Sequence, residues 1–191
     1  MLALGVRRSL IIERMVSGLR NAGGVGLHLG CGRKYIEGMV NCDKYSELAD
    51  VALDMTDLSA YQDASIGLIE THHAIEHLGF NDAEAALKEW ARVLRTGGYL
   101  VVSCPDFGAI CWKWIRSTLV GRVADRSAAR SYILKMVCGS QENAGMFHRS
   151  HYDRRLMREK LESLGFSVVC QLKSYPSRPT PSFVTIAVRV R

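Results

Sequence analysis

The feature that most constrains this chain is a strand pattern that runs directly into two closely spaced glycines. Val25-Gly26-Leu27-His28-Leu29 reads as a strand, and it runs into the turn Gly30-Cys31-Gly32. Glycines after a first parallel strand let backbone amides come close to a ligand, and ligands bind in the crevice outside the carboxyl ends of such strands. Asp43 stands at the end of the next strand pattern, Met39 to Cys42, where a carboxylate can accept hydrogen bonds from both hydroxyls of a ribose. A dinucleotide fingerprint needs a further glycine three residues after Gly32; Tyr35 occupies that place, which disfavours NAD. The stretch from Gly32 to Asp43 is short for a parallel crossover, leaving room for about one helical turn.

Strand and helix patterns alternate along the rest of the chain. Asp50 to Leu53 and Ile66 to Glu70 read as strands, and Tyr99 to Ser103 as a fifth, broken by Pro105. Between them Ala83, Ala86, Leu87, Trp90, Val93 and Leu94 share one helical face over Asn81 to Arg95, with Asn81 as expected N-cap and Gly97-Gly98 as stop. Phe107 to Cys138 reads as two helices and 139–150 as a loop. Asp153 to Leu164 reads as a helix capped by Asp153 and ended by Gly165. Phe166 to Lys173 and Ser182 to Val190 are closing strands, joined by a loop holding Pro176, Pro179 and Pro181. This order predicts an α/β fold with a doubly wound, mostly parallel sheet and one antiparallel edge strand. It forms a single domain over 1–191, with a helical insert at about 107–150.

Composition fits that reading. Of 191 residues 48% are apolar and 23% charged, which argues against disorder, collagen-like repeats and a coiled coil. Apolar runs fall well short of the roughly 20 residues that span a bilayer, so no transmembrane segment is expected. Six cysteines, at 31, 42, 104, 111, 138 and 170, form no CxxC pair and read as reduced, mostly buried thiols without a structural zinc site. Arg7 and Arg8 precede Leu10-Ile11-Ile12, but Glu13 and Arg14 end that run too early for a signal peptide. Leu4, Ile11, Ile12, Met15, Val16 and Leu19 instead repeat as a helix laid on the domain, and a cytoplasmic location is expected. The net charge of +6 leaves nucleic acid, a membrane surface or an anionic acceptor as partners.

Leu27 to Gly32, followed by Ile36 to Asp43, resembles the opening of class I S-adenosylmethionine-dependent methyltransferases. The resemblance is closest to a small bacterial group associated with polysaccharide and lipopolysaccharide biosynthesis, whose first crossover is also short. It continues through Leu53 to Leu58, His73 to Leu78, Glu89 to Leu100, Ser103 to Asp106, Phe147 to Tyr152 and Leu164 to Phe166. A serine-phenylalanine-aspartate run common before the fourth strand is replaced here by Ser65-Ile66-Gly67. The resemblance implies S-adenosylmethionine as cofactor. Gly30, Cys31 and Gly32 would line its methionine and ribose side, and Asp43 would hold the ribose hydroxyls. Asp54 and Met55 would meet the adenine, and Thr71 and His72 would border the methionine part. It implies O-methylation of a sugar, glycan or other small polar acceptor.

The acceptor side follows from residue chemistry. A hydroxyl acceptor needs a base, and His148 is the first candidate, with His151 and His73 behind it, since an imidazole titrates near neutrality. Asp106 stands at the carboxyl end of the fifth strand, or caps a helix there. Phe107 and Trp112 offer aromatic faces, although helical spacing favours core positions, and Tyr152 adjoins the histidines. His73 to His77 matches H-x-x-E-H, a zinc-protease pattern. The helix expected there is short and the residues belong to the methyltransferase pattern, so Glu76 and His77 read as braces and no metal is expected. Arg116, Arg122, Arg126 and Arg130, with Arg149 to Arg158, suggest an anionic acceptor; nucleic acid is disfavoured, for no recognised binding motif accompanies them. A lipid, quinone or nucleic-acid acceptor, and a non-catalytic cofactor-binding scaffold, are the competing readings, and a homodimer is open.

Overall fold

A computed structural model describes residues 16–18, 20, 24–119, 123–142, 144–173 and 181–191. The strands are β1 (Gly26–Leu29), β2 (Val40–Asp43), β3 (Val51–Ala52), β4 (Ile66–His72), β5 (Leu94–Pro105), β6 (Phe166–Lys173) and β7 (Ser182–Arg189). The helices are α1 (Phe80–Val93), α2 (Phe107–Leu119), α3 (Val123–Cys138) and α4 (Arg154–Ser163), with short 3-10 turns at Ile75–His77 and Ala144–Met146. The sheet order is β3-β2-β1-β4-β5-β7-β6. β1 to β5 pair in parallel, whereas β7 runs antiparallel to both β5 and β6. The sheet is thus mostly parallel with an antiparallel β5-β7-β6 edge, and the antiparallel strand is β7, one in from the outermost strand β6.

One sheet face is built by α1 and α4. Ala83, Leu87 and Trp90 of α1 and Met157 and Leu161 of α4 pack with Leu27, Leu29, Ile69, Leu100 and Phe183. The 3.6-residue apolar repeat of α1 is what turns these side chains to the sheet. Trp90 is fully buried, and removing a ring of that size costs about 3–5 kcal/mol. The opposite face carries Val16, Ile36, Met39, Leu68, Val101, Val184 and Ile186. Residues 16–18 and 20 are helical, while the rest of the expected N-terminal helix from Leu4, together with Pro176, Pro179 and Arg122, lies outside the described residues.

The short crossover between β1 and β2 has a local cause. Asn41, fully buried in β2, accepts a hydrogen bond from Ile36 N (2.9 Å) and donates to the carbonyls of Ile36 (3.0 Å) and Met39 (3.1 Å). One side-chain amide thus satisfies the backbone of a turn that no helix satisfies. Ile36 and Met39 then cover the sheet where a crossover helix would lie.

Two expected boundaries differ. Gly79 is the N-cap of α1, with its carbonyl accepting from Ala83 N at 2.8 Å, and Asn81 lies inside the first turn. The helix ends at Val93, because Leu94 turns extended and pairs with Ile66 before Gly97-Gly98 is reached. The α4 cap is as expected: the Asp153 carboxylate accepts from Leu156 N at 2.7 Å.

Candidate functional site

The carboxyl ends of β1, β2 and β4 meet at the glycine turn. Gly30 N and Cys31 N both donate to Cys42 O (2.9 and 3.1 Å), hooking the end of β1 onto β2. Gly30 has φ +66°, and a Cβ there would lie 2.5 Å from Ala74 Cβ and 2.9 Å from Met55 Cε. Gly32 has φ +53°, and a Cβ there would meet nothing within 4 Å. The first glycine thus permits close packing within the protein, and the second faces open space. Burial raises the pKa of the Cys31 thiol, so it stays protonated and unreactive.

Asp43 closes this turn. Its Oδ2 accepts from Gly32 N at 2.8 Å, and its Oδ1 accepts from Tyr45 N (2.8 Å) and Ser46 N (3.0 Å). Ser46 Oγ in turn donates to Gly32 O. Asp54 accepts from Thr56 N and Oγ1 through Oδ1 and from Lys44 Nζ (2.8 Å) through Oδ2. Burial alone would raise its pKa, but these donors outweigh it and hold the carboxyl below its ordinary value. The Met55 carbonyl accepts from Trp90 Nε1 at 2.9 Å, which fixes the peptide beside Asp54.

β4 sends its side chains to opposite faces. Thr71 is fully buried, with Oγ1 unpartnered, so its side chain is turned into the protein. His72 points the other way and donates from Nε2 to Glu70 Oε1 (2.5 Å), while Ser103 Oγ lies 3.1 Å from Nδ1. Arg20 grips the same carboxylate through Nε (2.9 Å) and Nη2 (2.6 Å). Burial works to raise the Glu70 pKa, but His72 and Arg20 prevail and bring it to about 2. Burial lowers the His72 pKa, against the pull of Glu70. His72, Glu70 and Arg20 share a cavity of about 440 Å³ with Lys34 and Tyr35 from the turn after β1. Sequence reasoning missed Glu70 and Arg20, which are 50 residues apart and carry no motif.

Beyond β4 the chain turns sharply at His73, a non-glycine residue at φ +53°. Such strain in a packed position is a mark of functional turns. His73 Nδ1 donates to Glu76 Oε1 at 3.0 Å, leaving His73 Nε2 and Glu76 Oε2 buried and without a partner. The loop after α3 is zipped to this turn: Arg149 N and Ser150 N donate to Glu76 O (2.7 and 3.2 Å), and Ser150 Oγ donates to Ile75 O (3.2 Å). His148 arrives beside His77, with ring centroids 5.0 Å apart, and its Nδ1 donates to Met136 O at 2.9 Å. His77 Nδ1 donates to Phe147 O at 3.1 Å. Burial lowers the pKa of both His148 and His151.

The remaining expected acceptor residues divide. His151 stacks on Phe107 at 4.8 Å. Trp112 is 60% exposed, against the core position that helical spacing favours, because α2 packs only part of its surface. Tyr152 lies in the core at 3% exposure and bridges β5's end through Asp106, so its ring is turned away from solvent. Asp106 is a helix cap: its Oδ1 accepts from Ala109 N at 3.1 Å. It opens onto a basic groove of about 670 Å³ lined by Arg154, Arg155, Arg158 and Lys173. Arg155 and Arg158 are paired with Glu159 and Glu162 of their own helix, which tempers the expected anionic preference.

Comparison with known proteins agrees with this geometry. Residues 27–102 match the methyltransferase domain family. A S-adenosylmethionine-dependent methyltransferase from Methanosarcina mazei superposes with TM-score 0.64 at 13% identity, covering 92% of this chain and 97% of that one. One from Archaeoglobus fulgidus gives 0.62 at 16% identity, covering 95% and 94%. The Haloferax volcanii putative methyltransferase complexed with the Trm112 methyltransferase activator gives 0.56 at 15%, covering 99% and 96%. No curated protein sequence matches the chain. No helix among the described residues is long and apolar enough to cross a membrane.

Proposed function

We propose that this chain, which matches the methyltransferase domain family over residues 27–102 and shares its fold with S-adenosylmethionine-dependent methyltransferases, is itself a class I enzyme of that kind that methylates a hydroxyl of a sugar, glycan or other small polar acceptor. The cofactor supplies a sulfonium-activated methyl group when bound. The residues present fit it. Gly32 leaves open space that a Cβ would fill, and Asp43 stands across the turn with a carboxylate for ribose hydroxyls. Asp54 and the fixed Met55 peptide suit an adenine edge. His72, with Lys34 and Arg20 around it, suits the methionine end.

The acceptor side belongs to the turn after β4 and the loop zipped to it. The single observation that carries the hydroxyl reading is His148, whose Nδ1 donates to Met136 O. In the neutral ring Nε2 then holds the lone pair, so His148 can take the acceptor proton while the turn orients the hydroxyl. The stacked Phe107–His151 pair and the exposed ring of Trp112 suit the apolar faces of a sugar. The helical segment at about 107–150 supplies this side within one domain. The six unpaired cysteines support a cytoplasmic setting.

An acceptor screen that detects S-adenosylhomocysteine release tests the proposal. Sugar and glycan hydroxyls should yield turnover, and His148→Ala should lower it at least about 100-fold with cofactor affinity unchanged. Release only with lipid, quinone or nucleic-acid acceptors would contradict the acceptor class. Normal turnover in His148→Ala would remove His148 as base.

A further inference from the structure

We propose that Glu76, His77 and His148 form a binding site for a borderline divalent cation of the zinc type. One ligand atom from each lies within 4.8 Å of the others. The three come from two segments 71 residues apart in sequence, the 3-10 turn after β4 and the loop after α3, joined by the backbone bonds from Arg149 and Ser150 to Glu76 O.

Three features make this more than a polar cluster. Glu76 Oε2 is buried without any partner, although a buried carboxylate oxygen is costly to leave unsatisfied. Its sister oxygen is held by His73 Nδ1, which fixes the carboxylate and leaves Oε2 as the free donor. Both histidines donate from Nδ1 to a backbone carbonyl, His77 to Phe147 O and His148 to Met136 O. That is the arrangement by which outer groups select the tautomer whose Nε2 lone pair coordinates a metal. Metal bonds of about 2.0–2.2 Å bring such donors to roughly 3.3 Å of one another, so the half-buried His77 and His148 rings must swing inward by about 1 Å.

The donor set names the class of ion. Two imidazoles and one carboxylate suit zinc, cobalt, nickel or ferrous iron, with coordination positions left open for an exogenous oxygen. Magnesium and calcium favour all-oxygen shells. The inference rests on the methyl-transfer reading only for what fills the open position. With the cation present, the acceptor hydroxyl binds it and loses its proton to water more readily, and His148 serves as ligand; without it, His148 remains the proton acceptor.

Binding of cobalt(II) and zinc to the metal-free protein, read by visible absorption and calorimetry, tests the site. Cobalt should produce d–d bands that zinc abolishes and excess magnesium does not. Glu76→Gln, His77→Gln and His148→Gln should each weaken zinc binding more than about tenfold while S-adenosylmethionine affinity is retained, which shows the variants are folded. Cys138→Ser, an exposed thiol near the loop, should leave zinc affinity unchanged. No zinc binding by the unaltered protein, unchanged affinity in the three variants, or loss only in Cys138→Ser would each overturn the site. Zinc binding that follows the three residues in a protein with no cofactor affinity would leave the site standing and overturn the methyl-transfer reading instead.

Discussion

Trp90 Nε1 donates to the Met55 carbonyl oxygen at 2.9 Å, so the largest fully buried side chain of α1 also holds the loop after β3. One residue thereby links the core to the adenine end of the proposed cofactor site. Trp90→Phe keeps an aromatic ring but removes this donor and leaves the carbonyl unsatisfied. Urea denaturation should report a loss of about 1–3 kcal/mol, and calorimetry a weaker cofactor affinity. Unaltered cofactor affinity in a destabilised variant would show that the Met55 peptide does not form part of the site.

The two turn glycines should respond differently to the same change. A methyl at Gly30 collides with Ala74 and Met55, so Gly30→Ala should cost more than about 2 kcal/mol and expose hydrophobic surface. A methyl at Gly32 meets no protein atom. Gly32→Ala should cost only the left-handed backbone penalty, about 1–2 kcal/mol, yet reduce cofactor affinity at least about tenfold. Equal stability losses with equal affinities would contradict the assignment of Gly32 to the ligand.

Glu70 predicts an acid limb in the stability of the fold. Its pKa is about 2 in the folded chain against an ordinary 4.5, because His72 and Arg20 favour the charged carboxylate more than burial disfavours it. The folded state thus binds the proton less tightly than the unfolded one. The resulting stabilisation is complete above about pH 4.5 and fades as pH falls toward 2. Glu70→Gln should be less stable than the unaltered protein at pH 7, with the difference shrinking across that window. Tryptophan-fluorescence unfolding at several pH values would read it, and a difference independent of pH would contradict the ion-pair account.

Much of this was legible in the sequence for physical reasons. β1 and the following glycines are local, and so are the 3.6-residue repeat of α1 and the Asp153 cap. The closing strands are separated by a short proline-containing stretch of sequence and announce their pairing. What escaped is non-local. Asn41 looks like any strand asparagine until the turn it satisfies is folded beneath it. Arg20 and Glu70 meet across 50 residues. Asn41 and Asp106 also show that residue type alone does not reveal whether a polar group serves the fold or a ligand. The histidine pair His77 and His148 could be listed from the sequence, but their tautomers are set by the carbonyls of Phe147 and Met136, which only the folded loop supplies. Tyr152 illustrates the converse: a tyrosine beside histidines suggests a site, and packing takes it into the core.

The central claim is that the turn from Gly30 to Gly32, with Asp43 opposite, is a S-adenosylmethionine site. The most direct measurement is calorimetric titration of the cofactor into the unaltered protein and into Asp43→Ala. Loss of two ribose hydrogen bonds to a carboxylate, at roughly 1.5–3 kcal/mol each, predicts a loss of affinity exceeding about 100-fold in a variant that circular dichroism shows to be folded, although the amides of Gly32, Tyr45 and Ser46 that Asp43 held also make it less stable. Equal affinities for the two proteins would contradict the account.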